Sequence, residues 1–78
     1  MELSEVQEIL LQLLKQVGME ATGIITIMLL LKEDEESMWD LAGYLYYDKA
    51  TENQVLNIWL RNYLLEHPQN QKGQQKKE

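Results

Sequence analysis

The chain has 78 residues, a formal net charge of −6 and neither cysteine nor phenylalanine. A domain of this size buries only about 60% of its unfolded surface and rarely gains more than about 3–5 kcal/mol from its core, which excludes a second domain and calls for outside support. Disulfides cannot provide it, and a zinc cage is excluded because the single histidine, His67, sits beside the proline that closes the packed part. A second subunit remains, so a homodimer is the expected assembly.

Ser4 and Gln7 have the spacing of a capping box. Behind them Val6, Ile9, Leu10, Leu13, Leu14 and Val17 recur on one helical face until Gly18 ends the run, which predicts a first helix. Between Thr22 and Lys32 the residues Ile24, Ile25, Ile27, Met28, Leu29, Leu30 and Leu31 are apolar nearly all round, and the β-branched ones would also suit a strand. A lone strand has no partner elsewhere, whereas a helix satisfies its own amides, so a second helix is expected. Apolarity on all sides places it at the centre of the fold. The run Ile24–Leu31 is far shorter than the ~20 residues of a membrane span, and no basic segment precedes it as in a secretion signal. These features lead to the expectation of a cytoplasmic protein with no membrane partner.

Glu33, Asp34, Glu35 and Glu36 lead into Met38, Leu41, Ala42 and Leu45, the stripe of a third helix. Acids in a first turn are favoured by about 0.3–1 kcal/mol each, and the run lacks the alternation and glycine of a calcium loop, so it reads as a helix start and not as a metal site. Tyr46–Ala50 follow as a connection. Thr51 and Gln54 repeat the capping-box spacing and open a fourth helix. Its residues Val55, Leu56, Ile58, Trp59, Leu60, Tyr63 and Leu64 leave a narrow polar stripe through Asn53, Asn57 and Arg61, so contact with two neighbours is expected. His67-Pro68 ends it, because the residue before proline is pushed out of helical conformation. Residues 68–78 hold nothing apolar to bury and are expected to be a disordered tail. The expected fold is all-α over residues 1–67, a compact four-helix arrangement in which a helix-turn-helix-like trihelical unit follows an N-terminal helix.

The sequence is poor in reactive groups. A nucleophilic triad needs a serine or cysteine held by a histidine, yet Ser4 and Ser37 stand at helix starts and His67 at a helix end. A carboxylate pair such as Asp34 with Asp40 would need one member desolvated. Composition therefore points away from an enzyme, a metal site and a bound cofactor. Trp39, Tyr44, Tyr46, Tyr47, Trp59 and Tyr63 all lie in the second half, and each is a ring with a polar handle, the kind enriched at interfaces. Because Met38, Leu41, Ala42 and Leu45 fill the core stripe of the third helix, Trp39, Gly43, Tyr46 and Tyr47 form an adjacent face with Gly43 allowing close approach. Together with Trp59 they are the expected contact surface for a protein partner or a second copy. The competing expectation is that Trp39 and Tyr46 are ordinary core.

From Ile24 to Tyr63 the order is a helix, an acidic turn, a helix with Leu41-Ala42, a turn, and then Thr51-Glu52-Asn53-Gln54-Val55. This order resembles the helix-turn-helix unit of bacterial transcription regulators over about half the chain. The resemblance implies DNA binding with Asn53, Gln54, Asn57 and Arg61 facing the major groove. The turn at 46–50 is longer than that pattern and lacks its glycine, and of the four only Arg61 is cationic. Setting aside Lys72, Lys76, Lys77 and Glu78 leaves twelve acids against four bases, a balance that repels phosphate and makes nucleic acid the lesser expectation. The same charge would suit an acidic inhibitor seated in the basic groove of a nucleic-acid-binding enzyme, with Glu33–Glu36, Asp40 and Asp48 facing it.

Overall fold

A computed structural model describes residues 3–68, so the expected tail from Gln69 onward lies outside the described residues. Helix α1, Leu3–Gln16, turns Val6, Leu10 and Leu14 fully inward. Their spacing of four puts them on one stripe, as the apolar periodicity predicts. Ser4 lies inside the helix and not in front of it, which corrects its assignment as the cap. The helix ends as expected at Gly18, whose φ of +90 suits glycine and not a side-chain-bearing residue. Beyond it the Met19 amide donates to the Leu14 carbonyl at 3.2 Å and the Gly18 amide to the Lys15 carbonyl at 3.0 Å, which satisfies two carbonyls that the helix end would otherwise orphan.

Helix α2, Ala21–Leu31, buries Ile24, Ile27 and Leu31. It is helical as expected, but it is not central, because Ile25 and Leu29 are 57% and 67% exposed. A domain this small has one dominant helix pair, here α1 with α3, and α2 covers only part of it. The second helix therefore has protein on one side and leaves apolar side chains on the other. Lys32, at positive φ, turns the chain, with its amide donating to the Met28 carbonyl and the Asp34 amide to that of Leu31.

Helix α3, Glu35–Tyr47, opens on Asp34, whose carboxylate accepts from the Ser37 amide at 3.1 Å and from the Ser37 hydroxyl at 2.7 Å. The acidic run is thus a helix start, with one acid capping and Glu35 and Glu36 in the first turn. Met38, Leu41, Ala42 and Leu45 are buried, as the stripe requires. The helix continues through Tyr46 and Tyr47, which the sequence placed in the connection. Gln7 and the turn at 32–34 line one cleft, so α1 and α3 begin at the same end of the molecule.

Helix α4 occupies 52–66 and starts with the expected capping box, in which the Thr51 amide donates to Gln54 Oε1 at 2.9 Å and the Gln54 amide to Thr51 Oγ1 at 3.4 Å. Over Val55–Trp59 it widens into one π-helical turn, closed by the Leu60 amide donating to the Val55 carbonyl. Val55 and Trp59, which bound the wider turn, and Tyr63 in the α-helical turn after it are each four residues apart and all buried. Leu56, Ile58 and Leu65 are exposed. The wide apolar face of α4 is therefore only partly covered: Val55, Trp59 and Tyr63 are buried while the other side stays open. Among the described residues there is no strand, and no helix is long and apolar enough to cross a membrane.

Candidate interaction surface

Packing of α1 on α3 leaves a groove of about 500 Å³ between their outward edges. Ile9 and Leu13, with Glu8 and Gln12, form the α1 wall, while Trp39, Tyr46 and Tyr47 form the α3 wall and Ala42 and Gly43 lie between. The aromatic walls are open to solvent, with Trp39 37%, Tyr46 64% and Tyr47 79% exposed. Tyr46 and Tyr47 brace each other edge to face, ring centroids 4.9 Å apart at 89°. A Cβ built on Gly43 would meet only Tyr47 Cδ2, at an ordinary 3.8 Å. Gly43 is thus not needed for close approach within the monomer, and its missing side chain deepens the groove.

Four of the five residues expected on the contact face are therefore brought together: Trp39, Gly43, Tyr46 and Tyr47. Trp59 is the exception and a correction. It is 8% exposed and faces the cleft between α3 and α4, where its indole Nε1 donates to Asp40 Oδ2 at 2.9 Å. Trp59 lies four residues before Tyr63 on the same buried stripe of α4. Ile9 and Leu13, which the sequence placed on the apolar face of α1, also line the groove, Leu13 while packing against the core. A signal was present, because six apolar positions at 6, 9, 10, 13, 14 and 17 make a face wider than one neighbour can cover.

The α3–α4 cleft holds a column of rings. Trp59 stacks on Tyr63 at 5.2 Å and 11°, and Tyr63 on His67 at 4.1 Å and 19°. At the base of the column the Tyr63 hydroxyl donates to Asp34 Oδ2 at 3.4 Å, and His67 Nε2 lies 3.9 Å from the same oxygen. His67 Nδ1 is 2.9 Å from the Tyr63 carbonyl, an acceptor, so this nitrogen carries the proton. Partial burial opposes ionisation of Asp34, but the Ser37 hydroxyl and amide, the Tyr63 hydroxyl and the nearby His67 outweigh it and hold the carboxyl below its ordinary range. Ser37 and His67 both address the carboxylate and not each other, so the order of a nucleophilic triad is absent from this cluster. Asp34 and Asp40, the pair considered for acid–base work, each accept a hydrogen bond from α4. Among the described residues no group of three or more histidines and carboxylates is arranged to hold a metal.

Asn53, Gln54, Asn57 and Arg61 are all exposed on α4, though the Gln54 side chain is already engaged in the capping box. No protein family, curated protein or solved structure matches the chain.

Proposed function

We propose that this protein is an interaction module, not an enzyme, and that it binds a protein partner through the groove between α1 and α3. Support comes from Trp39, Tyr46 and Tyr47, which stand open around an apolar floor although the same domain buries Trp59 and Tyr63. Exposed rings of this kind, amphipathic and stiff, supply the anchors of binding sites, and an exposed apolar patch is the feature that separates a docking face from ordinary surface.

A photoreactive phenylalanine analogue in place of Tyr46, expressed in the native cell, is expected to give a covalent adduct on irradiation. The adduct should vanish when Gly43→Arg fills the floor of the groove. The same analogue at Leu56, on the outer side of α4, is the comparison. Adducts from Leu56 and none from Tyr46 would reject the groove as the contact surface. If the partner is a second copy, as the small core suggests, light scattering gives the mass of a dimer and Trp39→Ala returns it to a monomer.

A further inference from the structure

We infer that the partner presents to this groove an amphipathic helix whose apolar stripe is flanked by lysine or arginine; the inference rests on the groove being the docking surface proposed above. Between Trp39 and Tyr47 the α3 wall runs for about 12 Å at the helical rise, two turns, which matches the i, i+3/i+4, i+7 anchors of a helix laid in a groove. The floor of Ala42 and Gly43 carries almost no side-chain bulk, and a Cβ on Gly43 would touch only the Tyr47 ring, at an ordinary 3.8 Å. A large aliphatic or aromatic anchor can therefore reach the backbone of α3 between Trp39 and Tyr46.

Charge selects the rest of the occupant. Glu8 lines the groove, toward the end where α1 and α3 both begin. Lys15 stands a turn beyond Gln12, toward the other end. Residues 1–67 as a whole carry twelve acids against four bases. A basic flank gains attraction from this field, whereas a second copy brings the same excess of acid against it. The chain's own segment 69–78, QNQKGQQKKE, has the basic residues but no apolar one to enter the groove.

The test uses the full chain and a fluorescent synthetic helix of about 18 residues with a leucine stripe and lysine elsewhere, read by anisotropy beside a copy in which glutamate replaces lysine. The lysine peptide is expected to bind at least about tenfold more tightly than the glutamate peptide and to weaken as salt rises to about 0.3 M. Gly43→Arg should remove binding. Leu29→Arg makes the same charge change on the exposed face of α2 and should leave it intact, with far-ultraviolet dichroism verifying that both variants remain helical.

Equal loss in both variants would mean attraction to acidic surface at large and would overturn the inference. Equal binding of the two peptides, still lost in Gly43→Arg, would overturn the basic flank while sparing the groove as a docking site. So would a dimer that binds neither peptide and is dissolved by Gly43→Arg, since the occupant would then be a second copy. Absence of peptide binding without a dimer overturns the inference as well, and the photocrosslink from position 46 separately decides whether the groove binds any protein.

Discussion

On the side facing α1, helix α3 contributes Met38, Leu41 and Leu45 to a seam closed by Val6, Leu10 and Leu14, and none of these side chains is more than 4% exposed. On the side facing α4 it offers Asp34 and Asp40, which accept hydrogen bonds from Tyr63 and Trp59 at the rim of a stacked column of rings. The first seam is non-directional burial, whose strength grows with apolar area. The second adds directional hydrogen bonds to the burial of Val55, Trp59 and Tyr63, so it also fixes where α4 sits. The comparison explains why the groove can stay open. With the apolar interior closed along one edge of the α1–α3 pair, Ile9, Trp39, Tyr46 and Tyr47 on the other edge stay exposed, and Leu13 packs against the core from the groove side.

The difference predicts a graded series of effects. Leu10→Ala should be the most severe, because a fully buried leucine truncated to alanine costs about 2–5 kcal/mol, comparable with the ~3–5 kcal/mol a core of this size provides. Thermal denaturation followed by far-ultraviolet dichroism should show loss of a cooperative transition. A transition as sharp as that of the parent chain would mean that the α1–α3 seam is not the principal source of stability.

Trp59→Phe keeps a ring in the column and removes the bond to Asp40. A loss of about 1 kcal/mol is expected, at the lower end for a bond to a charged group because Asp40 is exposed and regains water. Urea midpoints measure it, and an effect as large as that of Leu10→Ala would erase the distinction between the seams.

Asp34→Asn should cost about 1 kcal/mol or less, since an asparagine still caps a helix but no longer attracts His67 as a charge. Its signature is in the pH profile. The folded-state pKa of Asp34 is lowered, so its contribution is full above the ordinary value of 3.8 and is lost as pH falls through the folded-state value beneath it. The parent chain should lose stability in that acid window faster than Asp34→Asn does; parallel profiles in urea titrations would show that the carboxylate is not held by these partners.

The smallest effects concern two glycines. Gly43→Ala should stabilise α3 by about 0.5–1 kcal/mol, because alanine is the better helix former and its Cβ has room. Gly23→Ala should fail to gain as much or should lose stability, because its Cβ would stand 2.9 Å from Met19 Cγ, whose side chain must then shift. Equal gains at both positions would contradict the room assigned to a Cβ at Gly43.

Local chemistry was legible in the residues themselves. Gly18 ends α1, the acids at 33–36 begin α3, Thr51 with Gln54 caps α4, and the stripe Met38, Leu41, Ala42, Leu45 is interior. Each of these depends on groups within a few residues of one another, so the order of the amino acids suffices to predict it. The outward turn of Ile25 and Leu29, the inward turn of Trp59 and the recruitment of Ile9 and Leu13 to a groove were not legible in this way. An apolar side chain is buried only if another helix lies over it, and in a chain of 78 residues there are too few helices to cover every apolar face. The sequence by itself determined that four helices form and, at Gly18 and at Thr51 with Gln54, where they end or begin, but the tertiary arrangement alone decided which apolar faces would be covered and which left open.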